Sequence, residues 1–143
     1  MQINPKRVIE RGIVQQVKNQ DEQVQQVGID LTLAQDVTLK PLSFANVEVQ
    51  EKFNMQDTFG LIVIRSSFSR KGIFTTSGVY DPGFNGRGGV SIYNMGDKVV
   101  HMMQGERIGQ MIIFKADPAS MYNGFYNKTN EVSSQYDRKT QNE

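Results

Sequence analysis

The chain has 143 residues, with 16 Lys and Arg against 15 Asp and Glu, a formal net charge of +1. That length suits one ordinary domain with its own core and leaves no room for a second, and the even charge argues against a general nucleic-acid or anionic-membrane binder, which needs a basic surplus. Cysteine is absent and His101 is the single histidine, so disulfides, a thiol nucleophile and a histidine-based metal cluster are excluded and any metal must be held by oxygen.

Leu, Ile, Val and Phe make up 38 of the 143 residues, above the ~20% below which chains tend to stay disordered. No apolar run approaches the ~18 residues of a membrane span, and residues 1–7 lack the apolar stretch of a secretory signal. The expectation is a soluble, cytoplasmic chain with neither membrane nor nucleic acid as partner.

At the start, Asn4 can cap a short helix with Pro5 at its first position, Val8 and Ile9 turned inward and Gly12 at its stop. Residues 15–26 hold six glutamines with Lys18, Asn19, Asp21 and Glu22, a polarity that predicts a solvated loop or edge. From Val27 the period becomes two: Ile29, Leu31 and Leu33 alternate with Gly28, Asp30 and Thr32, the pattern of a strand with one buried face. Short strands are predicted around Val37 and Leu39, Val47 and Val49, residues 61–64, Val90 and Ile92, Val99, and residues 111–114. Turn residues at Pro41, Asn54, Gly60, 81–83, 96–97, Gly105 and 117–118 separate them, at the spacing of an antiparallel sandwich or barrel. The predicted class is all-β with one N-terminal helix. Residues 1–121 form the predicted domain. Residues 122–143, with Val132 as their sole aliphatic side chain, form a polar tail that is either disordered or a flap ordering on a ligand.

Two segments carry chemistry. Residues 81–89, Asp-Pro-Gly-Phe-Asn-Gly-Arg-Gly-Gly, read as a hairpin whose mouth bears one carboxylate and an aromatic face, with glycines that let a backbone approach a flat ligand closely. Upstream, Arg65-Ser66-Ser67-Phe68-Ser69-Arg70 leaves an apolar strand and presents two guanidiniums with three hydroxyls. The guanidinium fork pairs two phosphate oxygens at once, and hydroxyls add neutral donors.

Four segments in order, Gly28-Ile29-Asp30-Leu31, Arg65-Ser66-Ser67, residues 78–81 with Phe84 and Gly86, and residues 105–110, resemble the motifs of the trimeric dUTPase and dCTP deaminase superfamily. The resemblance implies a distorted jelly-roll (a β-clip) assembled as a homotrimer, with deoxynucleoside triphosphate sites at subunit boundaries. Within that superfamily the deaminase branch carries a glutamate ten positions after the hairpin aspartate; here that position is Ser91, which cannot serve as a general base unaided. The chain is therefore most similar to the dUTPase branch, which releases pyrophosphate from dUTP.

The resemblance assigns Asp81 to orient and deprotonate the attacking water. Arg65, Ser66, Ser67 and Gln110 would hold the phosphates, with Arg70 as a second clamp. Asp30 would contact waters of a magnesium ion arriving with the triphosphate. Phe84 would stack on deoxyribose and exclude a 2′-hydroxyl, and the backbone around Gly78 and from Gly86 to Gly89 would read uracil, with Thr75 or Thr76 adding a side-chain contact. Arg70 and the opening Ile3-Asn4-Pro5 resemble the deaminase branch instead. The glycine-rich fifth motif that closes dUTPase sites is missing from 122–143, which holds only Gly124, leaving Lys128 or Arg138 to reach the γ-phosphate. The alternatives are a dCTP deaminase, bifunctional or not, with Glu106 as substitute proton shuttle, or an inactive nucleotide-binding or structural relative.

Overall fold

The computed structural model describes residues 1–76, 78–124 and 127. Helix α1 (Pro5–Glu10) begins as its sequence predicts: the Asn4 side chain accepts from Lys6 N, Pro5 sits in the first turn, and Gly12 adopts φ +70° beyond the end. Strands β1 (Val14–Gln15), β4 (Phe44–Asn54), β7 (Asn85–Asn94) and β6 (Ile73–Thr75) form one sheet in the order β1-β4-β7-β6. Strands β2 (Ile29–Thr32), β9 (Arg107–Lys115) and β5 (Thr58–Ile64) form a second, β2-β9-β5, and β3 (Val37–Leu39) pairs with β8 (Val100–Met102). All of these pairings are antiparallel, giving the all-β class that the strand pattern predicts and the jelly-roll that the family resemblance implies.

The core fills the space between the sheets, with Leu31, Leu33, Val49, Phe53, Met55, Ile92 and Met111 almost wholly excluded from solvent. Along β4 the even positions are exposed at Phe44 and Asn46 and half-exposed from Glu48 to Asn54, while Val47, Val49, Glu51 and Phe53 turn inward. This is the period-two signature of a sheet with one covered face. No helix among the described residues is long and apolar enough to cross a membrane.

Three local expectations are corrected. Residues 15–26 are not a plain solvated loop: Asn19 caps a one-turn helix α2 (Gln20–Gln23) through its side chain, and Gln23 is buried. The Gln23 amide donates to Asp30 O at 2.9 Å and to Glu51 Oε2 at 3.0 Å, so a polar sequence is drawn in by buried acceptors rather than by apolar area. Strand β2 is buried at every position, because β9 lies beside it and α2 with β4 cover the face that alternation assigned to water. Gly60 is no turn; it lies within β5, where a Cβ would come within 2.5 Å of the Met111 sulfur. After β5 the chain closes a single helical turn, α3 (Ser66–Ser69).

Candidate functional site

The predicted site residues gather in two places. In the first, register puts Asp30 of β2 opposite Gln110 of β9, and Gln110 opposite Val63 of β5. At that end of β5, Arg65 N donates to Ile108 O and the guanidinium donates to Arg107 O at 3.4 Å. The half-buried Ser67 and the exposed Ser66 and Arg70 follow on and beside α3. Asp30, Arg65, Ser66, Ser67 and Gln110 thus lie towards one end of the β2-β9-β5 sheet.

Sequence reasoning assigned no role to Arg107, although it stands inside the fourth motif. Its Nη1 lies 3.0 Å from Asp30 Oδ2 and its Nε 3.4 Å from Glu22 Oε1. Asp30 is 5% exposed; burial pushes its carboxyl above the ordinary carboxylate range, while the Arg107 guanidinium and, after it, Arg65 pull the other way. Buried in this way, Asp30 is already engaged by Arg107 and by the Gln25 amide. Beside it, Gln110 Oε1 is buried with no hydrogen-bond partner, packed against Gly28, whose absent Cβ would lie 2.6 Å away. A carboxamide in that state can turn over and offer its NH2 to an anion.

The second place is the hairpin. Gly83 takes φ +89°, Phe84 N returns to Asp81 O, and the turn is pinned to the β4–β5 connection by Gly83 N to Gln56 O and Met55 N to Phe84 O. Asp81 is exposed and lines a cleft of about 570 Å³ with Phe59, Val79, Pro82, Lys115 and Tyr122. Phe84, expected to face a sugar, is only 7% exposed, with its ring edge-on to Tyr80 and Tyr122 at 5.5 and 5.8 Å; within this chain it is a core aromatic. Thr75 Oγ1 donates to Ser91 O, and the exposed Thr76 hydroxyl reaches the Tyr93 hydroxyl at 3.4 Å. Gly86 and Gly89 are buried in β7, whereas Gly78 is exposed and an added Cβ there meets nothing within 4 Å.

Most of the expected tail, Lys128 and Arg138 included, lies outside the described residues. Its first described residues fold back on the hairpin: Tyr122 N donates to Pro82 O at 2.7 Å, and the Asn127 side chain accepts from Asn85 N at 2.6 Å. Ser91, at the position of the deaminase glutamate, donates through its hydroxyl to Asn46 Oδ1 across the sheet. Glu106 accepts from Met103 N within its own turn. Among the described residues no cluster of three or more His, Asp or Glu side chains could hold a metal.

The acid-bearing glycine hairpin and the separate guanidinium–hydroxyl turn thus sit on one all-β jelly-roll. A family model of the dUTPases matches residues 17–138, and the chain belongs to the dUTPase family. It is 29% identical over 93 residues to the Pol polyprotein of Ovine maedi visna related virus, 64% of this chain and 9% of the polyprotein. It is 30% identical over 101 residues to the dCTP deaminase of Pyrococcus horikoshii, 68% of this chain and 65% of that protein. The chain thus spans less than two thirds of the length of these curated relatives. Among solved structures, the native EIAV dUTPase superposes with a TM-score of 0.63 at 23% identity, covering 80% of this chain and 97% of that one, a likeness of fold.

Proposed function

We propose that the protein hydrolyses dUTP to dUMP and pyrophosphate. The observation that carries this reading is the pairing of an exposed Asp81 at the mouth of the hairpin cleft with a serine, already bonded to Asn46, where a deaminase needs its acid. Asp81 accepts a proton from water as the water oxygen bonds to the α-phosphorus. The bond from that phosphorus to the bridging oxygen then breaks and pyrophosphate leaves. Arg65, Ser66, Ser67 and Gln110 hold the phosphate chain, with Arg70 as an outer clamp, and backbone groups of the hairpin read the base.

One chain does not complete this site. Gly60 is bonded on both sides to Tyr80, so Asp81 sits beside the early part of β5, whereas Arg65 leaves its far end. Five residue steps lead from Gly60 to Arg65, about 17 Å at ~3.3 Å per step. The clamp that serves Asp81 therefore belongs to a neighbouring copy in a closed ring, the homotrimer that the family resemblance implies. Mixing Asp81→Asn and Arg65→Ala chains, each inactive alone, should restore dUTP hydrolysis in the reassembled oligomer. A site contained within one chain would leave the mixture inactive.

Magnesium fits as an ion carried by the triphosphate that keeps much of its own water. The donor set suits no dedicated protein cage, and Asp30 would act through magnesium-bound water; the ion would neutralise charge on the phosphates. Asp81→Asn should abolish turnover while sparing nucleotide binding. Incubation with dUTP and dCTP, resolved by chromatography, separates the readings: dUMP and pyrophosphate from dUTP support the proposal, whereas ammonia from dCTP would overturn the reading of Ser91.

A further inference from the structure

Strand β7 is paired with β4 from Phe44↔Tyr93 to Asn54↔Asn85, with an irregularity in register between Glu48 and Lys52. Its other edge meets β6 only at Asn94, Tyr93 and Ile92. Beyond Ile92 this edge lies open among the described strands, and the Gly89 N–H and C=O are bonded by a single side-chain atom. The Tyr80 hydroxyl accepts from Gly89 N at 2.8 Å and donates to Gly89 O at 2.5 Å. The tyrosine lies flat against β7 because residue 88 is glycine: a Cβ there would strike the Phe53 ring at 2.1 Å and the Tyr80 hydroxyl at 2.8 Å.

An N–H beside a C=O on an open strand edge complements any planar ring edge carrying an acceptor beside a donor, such as the O4 and N3–H of a uracil. A phenol hydroxyl, donor and acceptor in one atom, satisfies both backbone groups equally well. We propose that Tyr80 is a built-in occupant of the base-reading edge: its hydroxyl stands where a pyrimidine's polar edge would bind, and a nucleotide enters by displacing it. Tyr80 thereby sets the affinity for the base without taking part in phosphate chemistry. Its ring, at 5.1 Å from Phe53 and 5.5 Å from Phe84, is held in this position by aromatic packing. This inference rests on the dUTPase reading for the location of the base.

The test is Tyr80→Phe, which keeps the ring and removes the competitor. The affinity of wild type and variant for a non-hydrolysable imido analogue of dUTP is measured by calorimetry, alongside KM and kcat for dUTP. The expected result is binding about tenfold tighter, since two neutral hydrogen bonds no longer compete, with KM lowered to match and kcat within about twofold. Equal or weaker binding by the variant would make Tyr80 a structural strap and overturn the proposal. Absent dUTP turnover in wild type would sink the dUTPase reading alone, because the analogue still reports on the Gly89 edge; no analogue binding by either protein overturns both. Should Tyr80→Phe not fold, carbon-13 labelling of tyrosine in the wild-type protein decides. The Tyr80 ring signal should move to a solvent-exposed position on saturation with the analogue, and an unmoved signal refutes displacement.

Discussion

Replacing Glu51 with glutamine should lower the stability of the fold by about 2–3 kcal/mol, the worth of one charge-assisted hydrogen bond together with a frustrated donor. Glu51 is 0% exposed on β4. Its carboxylate accepts from Thr32 N at 2.9 Å, from the Thr32 hydroxyl at 2.6 Å and from the Gln23 amide at 3.0 Å. A glutamine keeps the shape and one acceptor oxygen. With that oxygen on Thr32 N–H, its NH2 group faces the Gln23 NH2, donor against donor. Gln23 cannot turn over to help, because its own oxygen already accepts from Asn19 N at 3.0 Å. For a domain of this size the loss corresponds to a fall in Tm of roughly 6–12 °C. Urea unfolding should show the same loss as a lower midpoint with an unchanged slope. A variant within about 0.5 kcal/mol of wild type would refute the reasoning, since no accepting carboxylate could then be holding α2, β2 and β4 together. The consequence reaches β2, because the second bond of Gln23 goes to Asp30 O.

Other substitutions probe the two halves of the site. Gly78→Ala should leave Tm within a degree or two, because an added Cβ meets nothing of its own chain and φ there is not positive; KM for dUTP should nonetheless rise several-fold if a base packs on that segment, and an unchanged KM would remove Gly78 from the site. Phe84→Ala, which removes a ring packed between Tyr80 and Tyr122, should cost about 3–5 kcal/mol. A loss below about 1 kcal/mol by chemical denaturation would mean that the ring is a sugar platform rather than core. Arg107→Gln strands the buried Asp30 carboxylate and should cost about 2 kcal/mol near neutral pH, reduced from the fully buried case because Arg107 is 27% exposed. Asp30 has a raised folded-state pKa, so its contribution to stability is greatest at low pH, where it is protonated in both states, and falls as pH rises through the folded value. Without Arg107 that fall should steepen. The gap between variant and wild type in unfolding titrations should therefore widen from pH 4 to pH 7, and a gap independent of pH would contradict the pairing.

Much of this protein was legible in its sequence. Period-two alternation marked the strands, Asn4-Pro5 with Gly12 bounded α1, and the glycine-punctuated run from Asp81 placed the hairpin, because each is a local consequence of backbone sterics or of which face is apolar. Arg65 and Gln110 were singled out too, because the short stretches that hold them resemble family motifs and are recognisable without knowing where they meet. What only the tertiary structure decided depends on neighbours distant in sequence. Gln23 became a core residue because Glu51 and Asp30 lie above it, and Asp30 became a buried partner of Arg107 because β2 is covered on both faces. Phe84 turned inward between two tyrosines. Tyr80, which looked like one more residue of a hairpin arm, took up both hydrogen-bonding groups of Gly89. Alternation reports whether a side chain leaves the sheet plane, but it says nothing about whether water, another element or a hydroxyl from the same chain waits on that side. Burial of a polar group is decided by the partner that satisfies it, and that partner is assembled only when the sheets close.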